Sequence, residues 1–225
     1  MKKLILILTL FLGCILTAQT ASPNLEKLKS LIKEDGYDSE IKKEFLYVLS
    51  KDSLNVEALF LYGKFSADKV TWIAWENSIK YLTKAIEIDP YKPEYYWYRS
   101  KSYANHYFDN HALDSAVFFA TKDLNKMISL GVKSVKIYDR LAFLYEKLAS
   151  DYGQKYEYFE PKVSDGFQDD SSQEKDKLAL LNKALENYKL AEESYNNALE
   201  IDPKNENVKS SLKYLMYKIK NLKNL

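Results

Sequence analysis

The chain has few residues of the kinds that catalyse reactions or bind metal ions, and their spacing suits neither role. Cys14 is the only cysteine, and His106 and His111 are the only histidines. Five positions apart on a helix, the two imidazoles would point about 140° away from each other, so they would not share a metal ion. The chain has no Gly-rich phosphate loop, no Gly-x-Ser-x-Gly and no His-Glu-x-x-His motif. We therefore predict a protein that is not an enzyme and has no cofactor and no metal site.

Residues 151–177 are acidic, with eight acidic side chains against four lysines. They also contain residues that oppose a continuous helix, namely Gly153, Pro161 and Gly166. The acidic cluster in this stretch lacks the ligand spacing of a calcium loop; its members are Asp165, Asp169 and Asp170. We predict an irregular, solvated and mobile insertion here.

The opposite charge collects at the C-terminus, where six lysines and one glutamate occupy residues 204–225. On a helix, Lys209, Lys213 and Lys220 share one face. Such a face suits solvent and the negative end of the helix dipole, or alternatively an anionic lipid or polymer. The formal net charge of the whole chain is only +1. That balance gives no overall footprint for nucleic acid, so we predict no nucleic-acid partner.

The N-terminus has the pattern of a bacterial signal peptide. Lys2 and Lys3 precede a short apolar run at residues 4–12, and Leu16 and Ala18 then occupy the −3 and −1 positions of a cleavage site. The run is shorter than the roughly 20 residues of a membrane-spanning helix. The pattern predicts a signal peptide over 1–18, an exported mature chain in the periplasm or cell envelope, and no transmembrane span in that mature chain.

Cys14 leaves a second interpretation open. Phe11-Leu12-Gly13-Cys14 resembles a bacterial lipobox, in which cleavage before the cysteine leaves a lipidated residue. Phe11 is atypical at its position, whereas an Ala18-Gln19 junction resembles signal peptides of Bacteroidota. We favour cleavage after Ala18. Neither route leaves a disulfide in the mature chain, which must therefore hold its fold by packing.

Two nearly identical segments mark an internal repeat. They are Ala85-Ile86-Glu87-Ile88-Asp89-Pro90 and Ala198-Leu199-Glu200-Ile201-Asp202-Pro203, and each ends an apolar, helix-periodic run. The proline stops the helix because it cannot donate a backbone hydrogen bond within one. These segments resemble the end of the second helix of a tetratricopeptide repeat, a helix–turn–helix unit of 34 residues.

The resemblance extends over residues 22–225. Units begin at Ser22, Val56 and Pro93, a fourth follows Gly131, and the acidic stretch lies within the fourth. Small residues occupy the positions where helices cross: Gly63, Ala85, Ser100, Ala142 and Ala198. A last apolar stripe is typical of a capping helix: Val208, Leu212, Leu215, Met216 and Ile219. The resemblance implies an all-α, right-handed α-α superhelix of about four units with a C-terminal cap, because one helix pair cannot bury its own apolar stripe.

In this family the first helices of the units line a concave groove. The matching positions here are Phe60, Lys64, Glu94, Trp97, Lys101, Asn105, Lys136, Asp139, Phe143 and Glu146. Aromatic rings in such a surface suit a peptide or a sugar. Tyr95, Tyr96 and Tyr103 are expected in the core, and Trp97 is equally compatible with groove and core.

Some family members clamp a chaperone's C-terminal carboxylate. Lys136 and Arg140 match the basic pair of that clamp's third unit, but Phe60, Lys64 and Tyr98 stand where its other residues belong. The clamp is therefore not predicted. We predict instead an envelope scaffold that binds a protein or peptide partner. The alternatives are a glycan or envelope-polymer binder and a lipid-anchored component of outer-membrane assembly.

Overall fold

A computed structural model describes residues 23–34, 36, 38–109, 113–159 and 170–224 of the chain. The predicted signal peptide, Cys14 and His111 lie outside the described residues. Helices and turns make up the described part, which contains no β-strand, so the prediction of an all-α fold is confirmed. Among the helices that can be described, none combines the length and apolar character needed to cross a membrane.

The helices follow one another with short connections. Their bounds are α1 Pro23–Lys33, α2 Asp38–Lys51, α3 Val56–Ala67, α4 Trp72–Ile88, α5 Pro93–Asp109, α6 Leu113–Ser129, α7 Val135–Glu157, α8 Asp170–Ile201 and α9 Glu206–Lys223.

Consecutive helices pack in pairs: α1 with α2, α3 with α4, α5 with α6, and α7 with α8. Helix α9 packs on α7 and α8 and ends the array. First helices of successive pairs also touch, α1 on α3 and α3 on α5, whereas α5 and α7 make little direct backbone contact. The array is therefore a stack of helix pairs that opens between α5 and α7.

The repeated Asp-Pro segments form the same turn at both places. Asp89 and Asp202 each donate a backbone N–H to the carbonyl of Ala85 or Ala198, at 2.9 and 3.1 Å. Each aspartate side chain then accepts a backbone N–H two residues on, at 3.2 Å. The sequence repeat thus reflects a repeated helix ending, as expected from its proline.

Small residues lie where the repeat predicts close helix contact. Gly63 of α3 faces α4, and a Cβ built on it would be only 2.7 Å from Leu82 Cγ. Ala85, Ala142 and Ala198 are fully buried, and Ser100 is almost so. The backbones approach closely because these positions carry almost no side chain.

The hydrophobic core forms two clusters along the stack. One includes Leu28, Phe45 and Leu59, together with Tyr95 at the start of α5. The other comprises residues of α5 to α9, and Ile86 packs against both. Tyr95 and Tyr96 are buried as predicted, and Tyr103 packs against the second cluster and stacks on Phe119 at 5.0 Å.

The expectation of an irregular stretch over 151–177 is wrong at both of its ends. Residues 151–157 continue α7, and α8 begins at Asp170; the residues between 160 and 169 lie outside the described part. Gly153 does not break α7, because it is buried with its Cβ position 3.7 Å from Leu222 of α9.

The expected stripe on the cap is correct except at one position. Val208 and Leu215 are buried and Leu212 and Ile219 pack against the core, whereas Met216 is 46% exposed. Buried positions of α9 recur at 208, 215 and 222, and Met216 lies about 100° around the helix from Leu215. Met216 therefore faces away from the core.

Candidate binding groove

The opening between α5 and α7 forms a groove of about 490 Å³. Five of the predicted residues lie together in its lining: Trp97, Lys101, Asn105, Lys136 and Asp139. Sequence reasoning did not place the remaining lining residues there: Asp68, Tyr98, Ser100 and Arg140. The lining is charged and aromatic, and it comes from the C-terminal end of α3 together with α5 and α7.

Trp97 and Lys136 face each other across the groove. The Lys136 ammonium lies 4.4 Å from the centre of the indole ring, which is a cation–π contact. Trp97 is also partly buried and packs against the second core cluster. Trp97 therefore packs against the core and also lines the groove.

Arg140 is a partly buried charge in the groove lining. Burial lowers the pKa of its guanidinium, and the neighbouring Asp139 carboxylate acts in the opposite direction. The guanidinium lies 5.3 Å from the Phe143 ring. No carboxylate among the described residues forms an ion pair with Arg140. The match of Lys136 and Arg140 to the basic pair of the carboxylate clamp was a sequence signal that could have added it to the groove.

Asp139 lies beside Arg140 in the same lining. Burial raises the pKa of its carboxyl, and the Arg140 charge partly offsets that rise. The groove thus contains a partly desolvated pair of neighbouring opposite charges that do not bond to each other. A bound group that supplied hydrogen-bond partners to both would gain more than it could in water.

The groove continues toward α3 and α1. Lys101 donates to Asp68 Oδ1 at 2.7 Å, and a second cavity of about 420 Å³ shares Asp68, Lys101 and Asn105 with the first. A third cavity, lined in part by Lys64 and Ile32, also reaches Asp68. Asp68 is therefore the point where three stretches of one trough meet.

Three of the predicted groove residues lie outside the groove. Phe60 packs against Tyr95 and Tyr98, with ring centres 5.0 and 6.1 Å away. Glu94 is exposed in the first turn of α5, and Phe143 lies between Arg140 and Lys147. None of the three lines the cavities described above.

Glu146 is used inside the fold. It accepts hydrogen bonds from Lys218 at 2.8 Å and from Tyr195 at 3.1 Å. These contacts join α7 to α9 and α8, so Glu146 anchors the cap and is not open to a ligand. The sequence pattern predicted Glu146 in the groove because a repeat pattern does not show that α9 covers this end of α7.

The metal prediction can be followed only in part. His106 stacks on Trp72, with ring centres 5.8 Å apart and planes within 8°, while His111 is outside the described residues. The described side chains contain no group of three or more histidine, cysteine, aspartate or glutamate residues arranged to hold a metal ion.

A family model supports the repeat in the last helix pair. Residues 176–205 match the family model of the tetratricopeptide repeat. A search of curated protein sequences gives no match. Among solved structures, the chain is similar to a tetratricopeptide protein of Thermus thermophilus, with a TM-score of 0.43, 14% identity, and 86% of this chain and 97% of that chain covered. It is also similar to the MamA protein, with a TM-score of 0.43, 16% identity and coverage of 89% and 88%.

The matched segment has an unusual form in this chain. A tetratricopeptide unit is a helix–turn–helix, yet residues 176–201 belong to the single helix α8. No glycine or proline occurs between residues 176 and 201 to end a helix, so the helix runs through the place of the turn. The partner of this repeat's second helix is consequently α7. The fold is a tetratricopeptide-like helical array, an architecture generally used to bind proteins.

Proposed function

We propose that the protein is a non-enzymatic scaffold of the cell envelope that binds a protein or peptide partner in the groove between α5 and α7. The repeat and the helix-pair architecture support a binding role. The dimensions of the groove, about 490 Å³ with extensions on the α3 side, suit an extended segment of polypeptide.

One observation carries the proposal. The Arg140 guanidinium is partly buried in the groove and has no ion-pair partner among the described residues. Lys136, one turn earlier, contacts the Trp97 ring. Removing a charge from water without a partner is unfavourable, and a carboxylate of the partner would satisfy both cations. The proposed partner therefore places an acidic side chain against Arg140.

The same geometry favours a peptide over a glycan. A sugar would stack on an open aromatic face, but the Lys136 ammonium already covers the Trp97 ring. Tyr98, the other ring in the lining, is half-buried and has the Lys64 ammonium 5.2 Å from its centre, and Tyr95 and Tyr96 are buried. A charged, partly aromatic lining with one unpaired guanidinium fits a polypeptide with an acidic residue.

The experiment compares three forms of the full chain in capture of partners from envelope extract. A partner retained by the wild type is purified and its affinity is measured by calorimetry. Arg140→Gln should weaken that affinity about tenfold or more, the size of a lost hydrogen bond to a charged group. Lys213→Gln removes an exposed charge on α9 and should change nothing. Equal affinity of all three forms would contradict the proposal.

The envelope location is supported by the N-terminal pattern of Lys2, Lys3 and the Leu16-x-Ala18 site. The expected mature chain begins at Gln19, and the intact mass of the exported protein tests this. A mass corresponding to a chain that starts at an acylated Cys14 would favour the lipid-anchored alternative. An unprocessed, intracellular chain would contradict the envelope location.

A further inference from the structure

The turn between α3 and α4, together with the first residues of α4, presents three large apolar side chains to solvent. Val70 is 87% exposed, Ile73 is 66% exposed and Trp72 is 48% exposed. We call these three residues the turn patch. Apolar side chains grouped in this way on a surface commonly mark a contact site.

The turn is held rigidly, so the patch has a defined shape. Trp75 Nε1 donates to the Lys69 carbonyl at 2.7 Å, and Thr71 Oγ1 caps α4 by accepting from Ala74 N at 3.3 Å. The Trp72 ring rests on the His106 ring. A rigid apolar surface binds at a lower entropic cost than a loop that must be ordered.

One residue of the patch, Val70, lies at the end of the proposed groove. Val70 lines the cavity of about 420 Å³ whose other walls include Trp75 and Asn105. Asp68, Lys101 and Asn105 line both this cavity and the groove with Arg140. A segment bound against Arg140 could therefore continue along Lys101 to the turn patch without leaving the trough.

The charges around the patch are already neutralised within the protein. Lys69 pairs with Asp38 at 3.0 Å, and Lys101 pairs with Asp68 at 2.7 Å. This arrangement offers no excess cation to an anionic bilayer, which usually needs basic side chains beside the apolar ones. The patch and its concave cavity suit an apolar side chain on a polypeptide better than a flat membrane surface.

We infer that the turn patch is a second subsite of the groove, and that it receives a large aliphatic or aromatic side chain from the same partner segment whose acidic side chain binds Arg140. This inference rests on the proposed function. It defines the partner segment as one with an acidic residue and a large apolar residue at a fixed separation.

The test is selection from a random peptide library displayed on phage, panned against the full chain. Wild-type protein should enrich peptides that contain both residues. A Val70→Ser/Ile73→Ser variant should keep the acidic preference and lose the apolar one about tenfold, the change that ~1.4 kcal/mol produces. Trp72 stays unchanged because it stacks on His106. The matched control is Leu54→Ser/Tyr91→Ser, which changes two equally exposed residues, 68% and 75% exposed, in other turns; it should enrich wild-type sequences.

The outcomes separate the inference from the proposed function. The inference alone is overturned if two results occur together. Arg140→Gln loses the selection for acidic residues in the peptides, and Val70→Ser/Ile73→Ser keeps the selection for apolar residues. Enrichment that is identical in wild type and Arg140→Gln, or no enrichment at all, overturns the proposed function as well. The inference is also overturned if the wild-type chain sediments with phosphatidylcholine–phosphatidylglycerol vesicles, or forms a dimer, and Val70→Ser/Ile73→Ser abolishes that association.

Discussion

At the scale of single residues, the groove is defined by side chains whose interactions are incomplete. Trp97 contacts both the core and a lysine, and Arg140 is partly buried without an ion pair among the described residues. In contrast, Arg99 in the same helix as Trp97 binds Asp123 through two nitrogens, at 2.6 and 2.8 Å. Arg99 is therefore structural, whereas the unsatisfied Arg140 is the better candidate for a ligand contact.

Trp97→Ala should weaken partner binding by about 2 kcal/mol or more, the size expected for an aromatic hot spot. The helices should still form, but the melting temperature should fall slightly because the ring also packs on the core. Calorimetry and thermal unfolding on the same variant measure both effects. Reduced stability with unchanged affinity of the folded fraction would show that Trp97 is only a core residue.

The sequence predicts about half of the residues that line the groove, because the repeat pattern shows which positions of each first helix should face it. It located Trp97, Lys101 and Asn105 on α5 correctly. It could not locate Asp68, since that residue follows α3 and reaches the groove only through the packing of α3 on α5. It misassigned Glu146 because the position of α9 is a tertiary property.

At the scale of helices, the array depends on close crossings and on anchored ends. The repeat register could be predicted from the sequence because small residues and prolines recur at fixed places in the apolar pattern. The length of α8 could not be predicted, since its polar first turns have no distinct apolar face. Those turns are helical because they contain no helix breaker and because α7 packs along α8.

Ala198→Leu tests the register of the last pair. Ala198 is fully buried in the second core cluster, so a larger side chain would force α8 away from its neighbours, at a cost of about 1–3 kcal/mol. Denaturant unfolding measures the change. Asn197→Leu is the matched control, because Asn197 is exposed in the same turn of the helix, and its stability should stay near that of wild type. Equal stability of both variants would refute the register.

At the scale of the whole molecule, buried tyrosines link stability to alkaline pH. Burial, aided by the Asp114 carboxylate that accepts a hydrogen bond from the Tyr152 hydroxyl, raises the pKa of Tyr152 to about 12. Burial also raises the pKa of Tyr195, and Glu146 adds to the rise. A tyrosine in the unfolded chain has a pKa of about 10. The folded state therefore holds these protons more tightly than the unfolded state does.

The free energy of unfolding should be insensitive to these groups below about pH 10 and should fall as pH rises from there toward the folded-state pKa values. Urea unfolding between pH 8 and pH 11.5 measures this decline. Tyr152→Phe should make it shallower, and Tyr217→Phe, which changes a tyrosine 61% exposed, should not. A decline with the same slope in Tyr152→Phe as in wild type would show that Tyr152 does not contribute.

The central claim is that the trough over α3, α5 and α7 is the surface that meets a protein partner. Photo-crosslinking in cells that make the protein tests it most directly, with p-benzoylphenylalanine introduced at Asn105 in the groove or at Phe118, which is 61% exposed on α6. The account predicts a crosslink to a protein partner from Asn105→p-benzoylphenylalanine that Arg140→Gln diminishes, and no such crosslink from Phe118→p-benzoylphenylalanine. A partner crosslinked only from position 118, with position 105 silent, would contradict it.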